Sequence, residues 1–466
     1  MPETPSPTTD ALLHRALQHI EDWEHSWGAF DRHESLGVDP DRLDNALDEY
    51  LERMEGNYPF HHPRYAGQML KPPHPVALAA YAAAQRINPN NHALDGGPPT
   101  SQMEKEVVAD FTAMLGLPDT SLGHLTGGGT VANLEALWVA RELHPDQPLA
   151  VAENAHYTHG RMSEVLDVEV VPVPADARGR IDLDALDRTL EQHSIGTVVL
   201  TAATTGLGAV DPIDEAIPLC EAHGVRIHVD AAYGGFFRLL TEDTAPEIEG
   251  FPAERFRAIE DADSVAIDPH KHGLQPYGCG CILFRDPAVG RFYQHDSPYT
   301  YFTSDNLHLG EISLECSRAG AAAGALWCTL KALPLEPDDG LGPILTACIR
   351  AARTWSDAVG NTDALTLVAP PETDIVAYMP TTKEQTLSAV DHASRALFTA
   401  AMNDPDEPIF TSIYRLSAEA LTTLQPHLTA DQDEAAVLRS VLMKPEHETY
   451  ASPLVDQLST LAGDIL

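Results

Sequence analysis

The sequence predicts an α/β fold: a mostly parallel central sheet wrapped by helices, followed by a smaller C-terminal α+β domain. Two observations carry this. Short apolar runs alternate with amphipathic stretches between residues 149 and 284, the pattern of a parallel sheet with helices on its faces. A stretch rich in Pro, Gly and Asp, residues 334–343, then ends the alternation. At 466 residues the chain has room for two or three domains. The expected division is an N-terminal helical segment over 1–75, a large domain over 76–335 and a small domain over 336–466.

The elements follow in order. Leu12, Leu13, Leu17, Ile20 and Trp23 stand near helical spacing, and Asp39-Pro40-Asp41 opens a second helix through Leu43, Leu47, Tyr50 and Leu51. This segment is too thin for a core of its own, so it is expected to pack on a partner surface. A proline-broken connector follows, from His61 to Pro75. Its His61, His62 and His74 match no metal-ligand spacing, and no metal is expected. Met103–Leu115 reads as a helix. Gly123 to Thr130 reads as a glycine-rich turn running directly into a helix from Val131. Such a turn leaves free N–H groups at a positive dipole end, where a phosphate binds. It is neither a Walker A loop nor a dinucleotide fingerprint.

Strands are expected at Leu149–Glu153, Val168–Val173, Thr197–Thr201, Val225–Val229, Ser264–Ile267 and Cys281–Phe284, with helices at Leu183–His193 and Ile213–His223. Beyond them a long Ala-rich helix is expected over Leu307–Leu333, beginning near Glu311, and a helix over Leu345–Val359. Further strands are expected at Leu365–Val368, Asp374–Met379, Phe410–Leu416 and Ala435–Met443, and a helix from Tyr450. There is no internal repeat.

The formal net charge is −41, with 70 acidic against 29 basic residues. Such a field repels nucleic acid and anionic membranes. Because the acid is dispersed rather than gathered in a tail, it describes a surface, and it fits a cytoplasm of high salt. No apolar run is long enough to span a membrane, and the start MPETPSPTTD lacks the features of a signal peptide. The six cysteines, Cys220, Cys279, Cys281, Cys316, Cys328 and Cys348, are expected as buried small residues in a reducing compartment.

In open α/β sheets, ligands bind beyond the carboxyl ends of the strands. The chemically informative residues fall there: His156 after the first of these strands, Thr204 and Thr205 after the third, Asp230 after the fourth and Lys271 after the fifth. Of six lysines, only Lys271 is expected beside buried strands. An amine so placed suits Schiff-base chemistry. The set calls for a cofactor with a phosphate, an aldehyde and an electron-poor ring, which pyridoxal phosphate combines. In this reading Lys271 holds the aldehyde, and Gly129 and Thr130 take the phosphate with His270 nearby. Asp230 pairs with the ring nitrogen, His156 stacks on one ring face and Ala232 packs on the other.

The motifs that carry these residues resemble those of the group II pyridoxal-phosphate amino-acid decarboxylases. The matching pieces are GGGT-V-A-N, Ala155-His156-Tyr157-Thr158, Thr204-Thr205-x-x-Gly208, HVDAAYGG and Asp268-Pro269-His270-Lys271, over about residues 60 to 330. The DPHK-x-G-x-x-PY form and GHLTGGGTVANLEALWVAR are most similar to bacterial tyrosine decarboxylases. The resemblance implies the aspartate-aminotransferase-like fold (type I), cofactor contacts that include Thr204, and decarboxylation of an L-amino acid, with tyrosine or another aromatic favoured. It also implies an obligate homodimer with its sites at the interface. Glutamate, aspartate or diaminobutyrate are alternative substrates, and a lyase or aminotransferase is an alternative on the same scaffold. An acidic substrate would need a cation, for which Arg318 is the candidate if it faces the pocket. Two positions depart from the pattern: Ala203 replaces the usual glycine, and His272 stands where many members have tryptophan. Relatives carry a mobile-loop tyrosine that protonates Cα, and the segment from Tyr293 to Phe302 offers candidates in Tyr299 and Tyr301; a tyrosine or a histidine is expected to return the proton, and His156 is counted with Lys271 among the catalytic residues.

Overall fold

Most strands in the first half of the chain are rich in Val, Ile, Leu and Ala, so both of their faces must be covered, although Arg226-Ile227-His228-Val229-Asp230 alternates. The structure, a computed structural model describing residues 8–241, 248–294 and 313–465, covers them with helices. Seven strands form the large sheet: β1 (Leu122–Thr126), β2 (Leu149–Ala152), β3 (Val170–Val173), β4 (Thr197–Thr201), β5 (Arg226–Asp230), β6 (Ser264–Ile267) and β7 (Gly280–Phe284). Their order is β1-β7-β6-β5-β4-β2-β3, and β7 alone runs against the rest. A second, antiparallel sheet holds β8 (Leu365–Leu367), β9 (Ile375–Pro380), β10 (Ser412–Ser417) and β11 (Glu434–Val441) in the order β10-β11-β9-β8. Ile375, Val441 and Met443 of this second unit join the core cluster of the large sheet.

Several expectations are corrected. The stretch read as turn from Gly123 holds β1, whose His124 and Thr126 are buried rather than solvent-facing. Gly123 permits the close pairing with β7, since a Cβ there would meet the Leu283 side chain at 2.5 Å. The Ala-rich helix begins at Gly320, and residues 313–319 are irregular. Helices that the sequence reading did not place lie at Pro75–Ile87, Thr158–Leu166, Leu387–Met402 and Ala418–Leu424. Cys316 is exposed, whereas Cys220, Cys279, Cys281 and Cys348 are buried. Lys271 is not alone near buried strands: Lys444, after β11, is 3% exposed. Burial lowers its ammonium to about 8. No helix among the described residues is long and apolar enough to cross a membrane.

The N-terminal helices divide. Thr9–His25 lies on Pro75–Ile87 of its own chain, fastened where Arg86 Nη2 meets Glu24 Oε2 at 2.7 Å. Pro40–Met54 buries none of its residues.

Candidate functional site

A cavity of about 290 Å³ opens at the carboxyl ends of the parallel strands. The glycine turn Gly127–Gly129, Thr130, His156, Asp230, Ala232, His270 and Lys271 all line it. Thr205 lines it as well, but Thr204 is not among the lining residues: it is buried, and its Oγ1 accepts the Ala209 N–H at 3.1 Å. Tyr299 and Tyr301 lie outside the described residues.

The turn after β1 is shaped by one positive φ and one close approach. Gly128 has φ +140°, open to glycine and costly for other residues. A Cβ on Gly129 would meet Asp268 Oδ2 at 2.6 Å. The helix Gly129–Leu143 starts there, with Val131 and Ala132 donating to the Gly128 carbonyl. Gly129 and Thr130 stand ahead of those bonds, at the first N–H positions of the helix, where intrahelical acceptors run out. Asn133 holds this first turn from below: its Nδ2 donates to the Gly129 carbonyl at 2.8 Å, and its Oδ1 lies 2.8 Å from His228 Nε2. Burial pushes His228 down to about 3, so it is a neutral ring.

Asp230 ends β5. Its Oδ1 accepts the Ala232 N–H at 3.1 Å, and its Oδ2 lies 2.9 Å from His159 Nε2. Burial by itself would raise this carboxyl. The hydrogen bond and charge of His159, with help from Lys271, outweigh burial and hold it well below the usual carboxylate range. Asp230 therefore stays ionised although it is only 5% exposed, as a partner for a cationic ring nitrogen must.

His156 accepts the Thr158 N–H at Nδ1, which places its proton on Nε2. Burial lowers it, so the ring is neutral and can lie flat on another ring. His270 donates Nδ1–H to the Cys279 carbonyl at 2.8 Å, which fixes its orientation at the cavity wall. Lys271 Nζ lies 3.1 Å from Asp268 Oδ2. Thr201 Oγ1 and Asp268 Oδ1 are buried without a hydrogen-bond partner, and both of their residues line the cavity. These orphaned atoms, the anion-suited glycine turn, the single amine and the ionised Asp230 fit pyridoxal phosphate.

Arg318 is not at the cavity. It ion-pairs with Glu104 and donates Nη1 to the Leu125 carbonyl at 2.8 Å, all buried. The Ala203 departure has a visible consequence, since its φ is +76°, a conformation that costs a residue with a Cβ about 1–2 kcal/mol. Sequence reasoning missed His159, Asn133, Thr201 and Tyr233. The His156-x-x-His159 spacing was the one available signal, and it reads equally as two exposed helix residues.

The signature of the pyridoxal-dependent decarboxylase conserved domain matches residues 39–380. The chain is 31% identical over 413 residues to an L-tyrosine decarboxylase of Enterococcus faecium, covering 68% of this chain and 67% of that protein. It is 32% identical over 324 residues to an L-2,4-diaminobutyrate decarboxylase of Rhizobium meliloti, covering 65% and 63%. It is 26% identical over 344 residues to a probable L-aspartate decarboxylase of Pyrococcus furiosus, covering 73% and 88%. In fold it resembles Oryza sativa TDC solved with PLP and tryptamine, at TM-score 0.74 and 18% identity over 98% of this chain and 99% of that one.

Proposed function

The chain belongs to the pyridoxal-dependent decarboxylases, and from that premise we propose that it converts L-tyrosine, or another aromatic L-amino acid, to the amine and CO2. That it is a pyridoxal-phosphate-dependent amino-acid decarboxylase follows from the family. The aromatic substrate is our reading. It is supported by the tyrosine enzyme among its relatives and by one observation above all: Arg318, the candidate counter-charge for an acidic substrate, is spent on Glu104 beneath β1.

The proposed roles follow from the geometry. When bound, pyridoxal phosphate supplies an aldehyde that condenses with amines and a ring that accepts the electron pair left by departing CO2. Lys271 presents the amine that holds the cofactor until substrate replaces it. Asp230 keeps a proton on the ring nitrogen, and His159 keeps Asp230 charged. Gly129 and Thr130 offer N–H groups to the phosphate. His156 covers one ring face, and Ala232 leaves room on the other. Tyr299 or Tyr301 is proposed to return the proton to Cα. We take the division between the two larger domains at residue 335, and propose a homodimer in which the helix Pro40–Met54 packs on the partner.

The test is a panel of L-amino acids assayed for CO2. Turnover is expected to be highest with tyrosine or another aromatic, with amine and CO2 in equal amounts. Faster turnover of aspartate, glutamate or diaminobutyrate would overturn the substrate; keto acid or peroxide in place of amine would overturn the reaction course. Lys271→Ala is expected to lose both turnover and the visible absorbance of the lysine-bound cofactor. Retained activity with normal cofactor content would rule the lysine out.

A further inference from the structure

Three consecutive residues of the C-terminal unit, Glu372-Thr373-Asp374, reach loops of the large sheet that carry cavity-lining residues. Glu372 Oε2 accepts the Val210 N–H at 2.8 Å, and Thr373 Oγ1 donates to the Gly208 carbonyl at 2.9 Å. Both contacts lie on the loop after β4, which carries Thr204 and Thr205. Asp374 goes deeper. Its Oδ1 accepts the Tyr233 Oη–H at 2.8 Å, and its Oδ2 lies 3.2 Å from His272 Nε2. Asp374 and His272 are wholly buried.

Those two contacts are placed with a pattern. Tyr233 follows Ala232, and His272 follows Lys271. One carboxylate therefore hydrogen-bonds the neighbour of a cavity-wall residue after β5 and lies against the neighbour of the lysine after β6. The His272 ring is packed between Tyr233 and Phe237, with ring centroids 4.7 and 4.8 Å away. Beyond it the turn has no slack: a Cβ on Gly273 would meet the Phe236 ring and the Pro269 backbone at 2.7 Å, and Leu274 sits at φ +60°. Asp374 is itself anchored, since its carbonyl accepts the Leu442 N–H at 2.8 Å. Burial lowers His272, against the opposing pull of Asp374. The ring is therefore neutral, and the carboxylate acts on it as a fixed anchor. Lys71, Lys271 and Arg439 are cations that face this group of residues.

We propose that Asp374 is a positioning residue for Lys271, registering the C-terminal unit against the lysine-bearing turn through His272 and Tyr233. The proposal rests on the assignment of Lys271 as the cofactor-holding amine. Without the anchor the start of this packed turn shifts, and the amine meets the cofactor in the wrong geometry, where misplacement by about 1 Å costs up to about a hundredfold in rate.

The test follows cofactor uptake by the cofactor-free protein. Pyridoxal phosphate added to Asp374→Asn is expected to build the visible lysine-bound band at least about tenfold more slowly than in the parent, and the pH midpoint of the band is expected to shift. Its final amplitude, and the far-ultraviolet circular dichroism of the cofactor-free chain, should be unchanged. An unaltered uptake rate and pH midpoint overturn the proposal, as does slowing that matches a lost folded fraction. Should Asp374→Asn not fold, Tyr233→Phe and His272→Gln each remove one arm and leave the carboxylate in place. Each must then slow uptake, and parental rates in both overturn the proposal. Lys271→Ala separates the premise: a normal lysine-type band in that variant removes the assignment of the lysine, whereas a fast Asp374→Asn removes only its anchor.

Discussion

Asp230 stays charged because His159 is 2.9 Å away, and burial would otherwise push its proton affinity up. Two graded predictions follow. Asp230→Asn should keep the fold and lose at least about two orders of magnitude in rate, the scale on which one preorganised electrostatic contact is removed. His159→Phe should lose less, but it should change the pH profile. The carboxyl pKa would rise towards the value that burial dictates, so activity would fall away at a higher pH on the acid side. An acid limb that stays in place would mean that His159 does not set the Asp230 charge. Asp230 was legible in the sequence because a carboxylate at a strand end, inside HVDAAYGG, has few other uses. His159 was not, because its partner is 71 residues away and nothing local marks a histidine as buried. Thr204 and Thr205 show a related difficulty. The sequence reading names both, yet which hydroxyl turns to the cavity depends on the loop's path back to Ala209, which a dipeptide does not reveal.

Most of the parallel strands were readable element by element, since their faces are buried and their runs are mostly apolar: Thr197–Thr201 and Ser264–Ile267 fall where expected. β1 was hidden because Gly123, His124 and Thr126 look like turn residues, and their burial depends on pairing with β7, 154 or more positions later. The helix start at Gly320 was hidden for a comparable reason. Glu315 and Arg318 suit a helix, but the carboxylate of one accepts the Gly127 N–H and the other leaves for Glu104. Glu104 also accepts the Leu125 N–H at 2.9 Å, so the Arg318 pair joins β1 to the helix that carries Glu104 and to the irregular segment ahead of Gly320. Arg318→Met should therefore destabilise the protein by about 3–5 kcal/mol, the cost of leaving one buried charge unpaired. The order of preference among amino-acid substrates should not change. A large shift of preference without loss of melting temperature would return Arg318 to the substrate pocket.

At the scale of the whole molecule, one apolar face and one charge imbalance stand out. On the helix Pro40–Met54, Leu43, Leu47, Tyr50 and Leu51 are each about half exposed, which is costly unless another surface covers them. Leu47→Asp with Leu51→Asp should halve the sedimenting mass if that surface is a second copy; an unchanged mass would reject the helix as part of the interface. The charge acts over a longer range. Even if each of the 29 basic residues paired with one acid, 41 acidic side chains would remain. Like charges repel over a Debye length of about 30 Å at 0.01 M salt but only about 3 Å at 1 M. Two copies brought together would feel this most strongly, so dilute buffer should separate them or unfold each chain, modest NaCl should partly rescue the protein, and molar KCl should stabilise it further. The cavity is sheltered from the effect, because its charges are matched at short range, as in Lys271 against Asp268. Replacing about eight exposed Asp and Glu residues by Asn and Gln should accordingly lower the salt optimum while leaving the rate at that optimum similar. The deciding measurement is the melting temperature from dilute buffer to molar salt. A steady rise identifies the acidic surface as an adaptation to salt, and a flat profile assigns it another cause.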